Sequence, residues 1–356
     1  MIKYDSPDDM PVLEAKYIAQ KIAFGPIVFQ AALALRDFGI LDALRKSEKT
    51  GLTSKEVAEQ CNIPEYGAKV LLESGLSSGI TRLSDDKYFI TKIGVFLLKD
   101  KMTNINMNFV SDFCYEGIAR LKQSISESRP AGLETMGNWP TVYPALTSLP
   151  ENIKNSWFEF DHYYSDIAFP TILPIVFHNN PETIMDIGAN TGKFSIQCLK
   201  YNNDIKIRMV DLPQQLTVAE KNISDENLSD RVDFHPMDIL NKSNEFPKDA
   251  DAIWMSQFLD CFSIDEITNI LVRAKNAMHD NSRLYILELL WDRQEYEASA
   301  FCLHNTSLYF TCFANGNSQM YPYKDLEKCI ETAGLKIESV KDNIGISHTL
   351  IVCKRA

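Results

Sequence analysis

The spacing of apolar residues divides the chain into a helical first half and a second half in which short strands alternate with helices. Residues 12–100 predict helices followed by a small hairpin. The stretch EAKYIAQKIAFGPIVFQAALALRDFGILDAL is apolar at helical spacing and rich in aliphatic residues. A helix that is apolar on several sides is buried on several sides, so in a small N-terminal domain this stretch indicates an interface between subunits.

The segment after this stretch predicts a helix, a turn, a second helix and a hairpin. Thr53 or Ser54 caps the first of these helices, and the turn NIPE starts the second, Glu65–Ser77. The residues ITRLSDDKYFIT predict two strands joined by a turn at Asp85 and Asp86. This order of elements is the plan of a winged helix.

A winged helix raises the alternative that the chain binds DNA through its second helix. That helix carries Lys69 as its cation, against Glu65 and Glu73, and the whole chain has a net charge of −12. Reading DNA requires several lysine or arginine side chains that meet the phosphates. We therefore expect a packing and dimerisation module and no nucleic acid partner.

The second half of the chain predicts a doubly wound parallel sheet. After a mostly helical segment, short apolar runs are separated by helical patterns such as Ser263–Met278 and Tyr323–Ala333. Two runs after Gly334 predict a terminal antiparallel hairpin. We expect an N-terminal domain over residues 1–105, a helical segment over 106–180 that links the domains and contributes to the substrate pocket, and a Rossmann-like domain over 181–356. The predicted strands of the sheet are Thr183–Ile187, Ile205–Val210, Val232–His235, Ala252–Ser256 and Leu284–Leu289.

Composition and cysteine spacing indicate the class of protein and its cellular compartment. The hydrophobic content of 45% and the charged content of 24% are those of an ordinary globular protein. The 8 cysteines form no CxxC pair and have no histidine at zinc spacing, so we expect reduced thiols and no metal site. The sequence begins with no signal peptide, and no stretch approaches the roughly 18–20 apolar residues of a membrane span. We expect a cytoplasmic protein with no membrane partner.

The stretch IMDIGANTGKFSI has the form of a glycine-rich turn between a strand and a helix. It is neither a P-loop nor GxGxxG, although Gly188 and Gly192 let the backbone approach a ligand closely. Asp211 follows Gly192 by 19 residues, where an acidic residue binds a ribose diol, and Asp238 follows the next strand. Together with Asp186, these acids favour a cationic ligand that carries an amine, a ribose and an adenine. That ligand is S-adenosylmethionine.

The ordered motifs DIGANTG, VDLP, MDIL, ILE and YKDLEKCIETAGL resemble those of the class I S-adenosylmethionine-dependent methyltransferases. With the winged helix in front of them, nearly the whole chain resembles the two-domain small-molecule O-methyltransferases of the caffeate, hydroxyindole and aromatic-polyketide types. The resemblance implies a seven-stranded Rossmann-like catalytic domain, a mostly helical dimerisation domain and a homodimer formed through the N-terminal helices. It also implies O-methylation of a small, phenolic acceptor.

The resemblance implies that residues after the first four strands of the sheet bind the cofactor. Those after the first strand line its methionine part, with an asparagine where the family has its middle glycine. Those after the second strand meet the ribose and the adenine, those after the third meet the adenine, and those after the fourth lie near the cofactor. In chain order they are Asp186, Gly188, Asn190 and Gly192, then Asp211 and Leu212, then Asp238 and Ile239, then Ser256 and Gln257.

The catalytic histidine of the family is missing. Where the family has His-Asp-Trp-Ser, this chain has SQFLDCFSIDE, which puts Asp260 in the histidine position. Glu288 matches the glutamate that orients the base, while the third catalytic position falls on Gln319 or Met320. An aspartate, with an ordinary pKa of about 3.9, is a weaker base than a histidine at about 6.5 for a phenol at about 10.

Four hypotheses follow from this substitution. Asp260 and Glu288 share a proton and act together, or a base comes from another segment, with His162 and His304 as the candidates. Alternatively, the acceptor needs no strong base, which favours C-methylation of a hydroxylated aromatic ring. The last hypothesis is a protein that binds the cofactor without catalysis, as a winged-helix regulator. An aromatic acceptor is favoured by Phe158, Phe160, Tyr163, Tyr164, Phe301, Tyr309, Phe310 and Phe313.

Overall fold

The computed structural model describes Tyr4 and residues 7–356, with the Thr147 side chain left out, and these residues form two compact units. One unit runs over Asp5–Ser111, and the other runs over Asp112–Ala356 and includes Tyr4. The division lies close to the predicted boundary after residue 105. Most of the segment 106–180, which we predicted to link the domains and to contribute to the substrate pocket, belongs to the second unit.

The first unit contains the predicted helix, turn, helix and hairpin. Thr53 caps its helix with a capping box, in which its hydroxyl accepts from the Glu56 N–H and the Glu56 carboxylate accepts from the Thr53 N–H. The hairpin turns at Asp85 and Asp86, both with positive φ, as a tight two-residue turn requires. Its helices are α1 Val12–Ala23, α2 Gly25–Asp37, α3 Ile40–Lys46, α4 Ser54–Cys61, α5 Glu65–Ser77, α6 Lys92–Lys99 and α7 Lys101–Asn108, and its strands are β1 Thr81–Ser84 and β2 Lys87–Ile90.

Helix α1 presents its apolar residues to solvent in the single chain. None of its residues is buried, and Val12, Leu13 and Ile22 are 82%, 81% and 74% exposed. At the start of α2, Ile27 is 64% exposed. An exposed apolar surface of this kind marks an interaction site.

Within the described residues, no single helix is long and apolar enough to cross a membrane. Helices α1 and α2 reach that length and composition only as a pair, across a bend of 65°.

The second unit is built around a seven-stranded sheet in the order β5-β4-β3-β6-β7-β9-β8. The five strands β3, β4, β5, β6 and β7 are parallel to one another. Strand β9 pairs antiparallel with both β7 and β8. The predicted terminal hairpin is therefore present, with its second strand inserted next to β7. The strands are β3 Thr183–Ile187, β4 Lys206–Asp211, β5 Val232–Pro236, β6 Ala250–Ser256, β7 Met278–Glu288, β8 Leu335–Ile344 and β9 His348–Arg355.

Helices cover both faces of this sheet. Because the central strands are buried on both faces, they are nearly continuous apolar runs, and two separate clusters of buried side chains line the two faces. The helices of this unit are α8 Leu121–Glu127, α9 Glu151–Ser165, α10 Phe169–Val176, α11 Lys193–Tyr201, α12 Pro213–Asp225, α13 Ile264–Ala277, α14 Glu297–Tyr309 and α15 Tyr323–Thr332.

The strand order reverses at β3. The chain passes from β3 outward to β4 on one side and returns to β6 on the other. In open α/β sheets, a crevice opens at the carboxyl ends of the strands where the order reverses, and ligands bind there. The glycine turn that follows β3 lies at this crevice.

Candidate functional site

The glycine turn brings backbone, not side chains, close to the crevice. Gly188 has φ +78°, and a Cβ atom there would lie 2.3 Å from the ring of Phe258, so no larger residue fits. Asn190 also has positive φ, at 49°. Asparagine adopts this left-handed conformation more readily than most residues, which explains how it replaces the family's glycine.

Asp211 connects the glycine turn to the end of β4. Its Oδ2 accepts from the Asn190 N–H at 2.8 Å, and its Oδ1 accepts from the Leu212 N–H at 2.7 Å. Burial raises the pKa of Asp211 to about 6, against the two hydrogen bonds, which lower it. Each carboxylate oxygen retains a lone pair for a further donor in the crevice.

Asp186 is more deeply buried than Asp211. It is 2% exposed, and its Oδ2 accepts from the Ser195 hydroxyl at 2.6 Å. Burial raises the pKa of Asp186 to about 7. This carboxyl therefore ties β3 to helix α11 and at neutral pH carries only part of a charge.

The carboxyl ends of β5 and β6 complete the crevice. Asp238 is exposed and accepts from the Leu240 N–H, and the neighbouring Ile239 is buried. After β6, Ser256 has a buried hydroxyl with no hydrogen-bond partner among the described residues. Gln257 has φ 45°, and its Oε1 lies 3.2 Å from the Nε2 of the buried His348.

A cavity of about 580 Å³ opens along these strand ends. The predicted cofactor residues line it with the exception of Gly192, which starts α11 at φ +82° and packs towards Met209 and Ala219. Gly192 thus shapes the turn without facing the cavity. Besides Ser256 Oγ, two buried side-chain oxygens of the glycine turn, Asn190 Oδ1 and Thr191 Oγ1, have no partner among the described residues. These oxygens fit a ligand rich in hydroxyl and amino groups, as S-adenosylmethionine is.

Asp260 and Glu288 form a buried carboxyl pair beside the same cavity. They are 6% and 3% exposed, and only Asp260 contributes to the cavity lining. Glu288 Oε1 accepts from the N–H groups of Phe258 and Leu259, at 3.0 and 2.8 Å, while its Oε2 has no partner among the described residues.

Burial raises the pKa of both members of this pair. The pKa of Asp260 rises to about 6, and that of Glu288 rises well above its usual value, with the charge of Asp260 as a further cause. The two carboxyl groups titrate together, so near neutral pH they hold a proton between them.

The two histidines predicted as candidate bases lie in different surroundings: His162 lines the cavity and His304 does not. His162 lines the cavity and stacks on Phe158, with its Nδ1 3.8 Å from Asp161 Oδ2. Burial lowers the pKa of His162, which favours the neutral ring. His304 is outside the cavity lining, and its ring packs against Trp291 at 4.8 Å. Of the two histidines predicted as candidate bases, the structure therefore places only His162 at this cavity.

The aromatic wall differs in part from the predicted one. Phe160, Tyr309 and Phe310 line the cavity. Phe158, Tyr163, Tyr164, Phe301 and Phe313 are absent from the lining, and Phe301 is 67% exposed. Residues that the sequence did not single out also line it: Tyr143, Trp157, Asp161, Phe169, Phe194, Trp254, Phe258 and Phe262.

Comparison with family models identifies two domains. The model of the Dimerisation2-like domain matches residues 16–88, and the model of the O-methyltransferase domain matches residues 160–336. An L-tyrosine C(3)-methyltransferase of Streptomyces lavendulae is 22% identical over 322 residues, which cover 89% of this chain and 86% of that enzyme.

Solved structures of methyltransferases share the fold over nearly the whole chain. The apo form of the S-adenosylmethionine-dependent methyltransferase SibL has a TM-score of 0.71 at 20% identity, and the match covers 95% of this chain and 98% of that one. The mitomycin 7-O-methyltransferase MmcR has a TM-score of 0.69 at 17% identity, with 96% and 98% covered. With a dimerisation-type domain and an O-methyltransferase domain that together match most of its length, this chain belongs to the S-adenosylmethionine-dependent small-molecule methyltransferases.

Proposed function

We propose that this methyltransferase transfers the methyl group of S-adenosylmethionine to a hydroxyl group on a small aromatic acceptor. The observation that carries the proposal is one continuous cavity with a glycine turn on one side and an aromatic wall with a buried carboxyl pair on the other. The first side suits the cofactor, and the second suits a flat acceptor whose hydroxyl proton must be removed.

The cofactor half is proposed to work as follows. Asp211, already fixed by two backbone N–H groups, accepts from the ribose hydroxyls, and Leu212 and Ile239 pack on the adenine. Asp238 accepts from the adenine amino group at the cavity edge. Asp186, Gly188 and the other residues of the turn shape the part of the site that holds the methionine end. When bound, S-adenosylmethionine supplies an electrophilic methyl group on a sulfonium.

The acceptor half is proposed to hold an aromatic ring. Trp157, Phe160 and Phe310 line it, and the Trp157 indole N–H donates to the Tyr309 hydroxyl at 2.7 Å. That hydrogen bond fixes two large aromatic side chains in one orientation. Rigid aromatic walls favour a planar ligand and exclude water from the reacting atoms.

Asp260 is proposed as the general base, and Glu288 as its partner. With the pKa of Asp260 at about 6, the gap to a phenol at about 10 is smaller than for an ordinary aspartate. The acceptor hydroxyl gives its proton to Asp260 as its oxygen takes the methyl group. Glu288, held by the Phe258 and Leu259 N–H groups, keeps the proton that the pair holds near neutral pH and so leaves Asp260 ionised to accept the proton of the acceptor. His162 remains the alternative base, because it lines the cavity and burial lowers its pKa, which favours the neutral ring.

C-methylation of a hydroxylated aromatic ring is the second candidate function. The observation in its favour is the relative from Streptomyces lavendulae, a tyrosine C(3)-methyltransferase that aligns with 89% of this chain. Removing the hydroxyl proton also increases the electron density on the neighbouring ring carbon, so the same carboxyl pair serves either reaction. The two candidates differ in which acceptor atom lies in line with the methyl group, and C-methylation in addition requires removal of the hydrogen on the methylated ring carbon to restore the aromatic ring.

Surface residues and cysteines support three further proposals: a homodimer, no nucleic acid partner and a cytoplasmic location. A homodimer covers the exposed apolar residues of α1 and α2, in a region that matches a dimerisation-type domain. On α5, Lys69 lies 4.0 Å from Glu73, which leaves little positive charge for nucleic acid. The described cysteines are free thiols, which is typical of the cytoplasm.

The product of methyl transfer tests the function itself. With purified protein and a set of simple phenols, we expect a mass increase of one methyl group and an O-methyl signal in the NMR spectrum of the product. Loss of an aromatic proton signal with the hydroxyl retained would assign C-methylation instead. No methylated phenol from protein that binds the cofactor would refute the proposed acceptor class.

Asp211→Ala is expected to weaken S-adenosylmethionine binding by about a hundredfold, because the ribose hydroxyls lose charged acceptors and the turn loses the Asn190 bond. Calorimetric titration measures this change. Asp225→Ala, which removes an exposed carboxylate from α12, is the control and should bind normally. Normal binding by Asp211→Ala would mean that the ribose lies elsewhere.

Asp260→Asn is expected to lower kcat/KM by about a hundredfold or more. Because burial raises the pKa of Asp260 to about 6 and a base acts when it is ionised, wild-type kcat/KM should rise with pH through about 6 and then level off. In the Asp260→Asn variant, this rise of kcat/KM with pH, the acidic limb of the profile, should be absent. Asp265→Asn, an exposed change at the start of α13, should keep it. A limb that persists in Asp260→Asn would point to His162.

Ile22→Asp is expected to convert a dimer into a monomer, because it places a charge on an apolar surface that the partner copy covers. Light scattering coupled to size-exclusion chromatography measures the mass. Gln60→Asp, on an exposed part of α4, is the control and should remain dimeric. A wild-type monomer at micromolar concentration would contradict the proposed assembly.

A further inference from the structure

Most carboxylates that line the cavity already have a partner that explains them. Asp166 binds Lys193 at 2.6 Å, and Asp186 accepts from Ser195. Glu266 closes a capping box with Ser263 at the start of α13. Asp211 is held by backbone N–H groups and Asp238 is exposed to solvent. Among the lining carboxylates within the described residues, this leaves Asp161 and Asp260.

Asp161 lies where the two halves of the cavity meet. It is on α9, one turn after Trp157 in the aromatic wall, and its Oδ2 accepts from the Asn190 side-chain amide at 3.2 Å. Its side chain is 25% exposed, and burial together with the charge of Asp260 raises the pKa of Asp161. The carboxylate therefore faces both the glycine turn and the acceptor half.

No ion pair to Asp161 shorter than 3.8 Å occurs in the described part of the chain, and that distance is to His162 Nδ1. His162 and Lys193 both lower the pKa of Asp161, but burial lowers the pKa of His162, which favours the neutral ring, and Lys193 binds Asp166 at 2.6 Å. Burial remains the largest influence and raises the pKa of Asp161, so a cationic ligand group would stabilise this carboxylate.

The wall near Asp260 offers a second unused polar group. The Tyr143 hydroxyl is buried in the cavity lining beside the Cys261 thiol, a weak hydrogen-bond partner, and no oxygen or nitrogen atom of the described residues bonds it. A buried hydroxyl group usually has a stronger partner than a thiol, so this one suits a polar substituent on the ligand. The acceptor half thus presents a carboxylate at Asp161, a base at Asp260 and a weakly bonded hydroxyl at Tyr143.

We infer that Asp161 is the counter-ion for a protonated amine on the acceptor, so the acceptor class is a phenol that carries an amino group. This inference rests on the proposed function, in which Asp260 receives the phenolic proton. Asp260 titrates together with the carboxyl group of Glu288, whereas Asp161 has no such carboxyl partner among the described residues and suits a fixed positive charge. An acceptor with a free carboxylate and no amine meets repulsion from Asp161, and the described lining offers it no cation that is free of an ion pair.

Calorimetric titration of protein saturated with S-adenosylhomocysteine tests the inference without catalysis. The probes are tyramine, 4-ethylphenol and 3-(4-hydroxyphenyl)propanoic acid, which share a phenol and differ in the charge at the end of the side chain. Tyramine should bind tenfold or more tighter than 4-ethylphenol, and the acid should bind most weakly. Equal binding of tyramine and 4-ethylphenol would overturn the inference and leave the proposed function intact.

Asp161→Asn keeps the shape of the side chain and removes its charge. In this variant, the affinity ratio of tyramine to 4-ethylphenol should fall to about one, with S-adenosylhomocysteine affinity unchanged. Glu159→Gln makes the same change at an exposed position of α9 and should keep the wild-type ratio. If Asp161→Asn instead weakens cofactor binding and leaves the amine preference intact, its partner is the ammonium of the cofactor, and the inference is wrong.

Phenethylamine, which lacks the hydroxyl, separates the two proposals. Binding of phenethylamine that depends on Asp161, in a protein that methylates no phenol, would support the counter-ion and refute the phenolic acceptor. Failure of every amine and every phenol to bind the protein saturated with S-adenosylhomocysteine would refute both.

Discussion

The arrangement of the cavity depends on one buried carboxylate, Glu288. At the end of β7 it accepts from the N–H groups of Phe258 and Leu259, and so fixes the loop that follows the neighbouring strand β6. That loop carries Asp260 into the cavity and presses the Phe258 ring against Gly188. Removing a carboxylate from water is costly, and the two N–H donors offset only part of that cost. The remainder appears as the raised pKa of Glu288, which favours its protonated form next to an ionised Asp260.

The elements of the fold could be predicted from local patterns, and the wall of the cavity could not. The sequence predicts the helix Glu65–Ser77 and the strand Thr183–Ile187 with the bounds that the structure has, because the NIPE turn marks the start of the helix and a short, mostly apolar run marks the strand. On α9, however, aromatic residues occur on every side, so periodicity does not define which side faces the cavity. Phe158 was therefore expected in the wall, while its neighbours Trp157 and Asp161 lie there.

His304, a predicted candidate base, lies outside the cavity lining for the same reason: periodicity does not define which side of its helix faces the cavity. Helix α14 has apolar residues around its whole circumference, and its exposed Phe301 and buried Leu303 are two positions apart. The types of the residues on α14 therefore do not indicate which side of the helix faces the cavity. From the sequence alone, His304 could equally face the cavity or Trp291. In contrast, the cofactor residues follow parallel strands, whose ends meet at one edge whatever their side chains do. Sequence reasoning located that half of the cavity for this reason.

A carboxyl pair in place of histidine changes what positions the acceptor. A histidine can bind a hydroxyl as donor or acceptor, whereas an ionised Asp260 can only accept, so it orients the acceptor through a single proton. One such hydrogen bond leaves a flat ring free to rotate about it, and both the oxygen and the adjacent ring carbon can then approach the methyl group. A second fixed contact, such as an ion pair at Asp161, removes that freedom. Because methyl transfer requires the attacking atom to be aligned within a fraction of an ångström, this second contact determines which atom reacts.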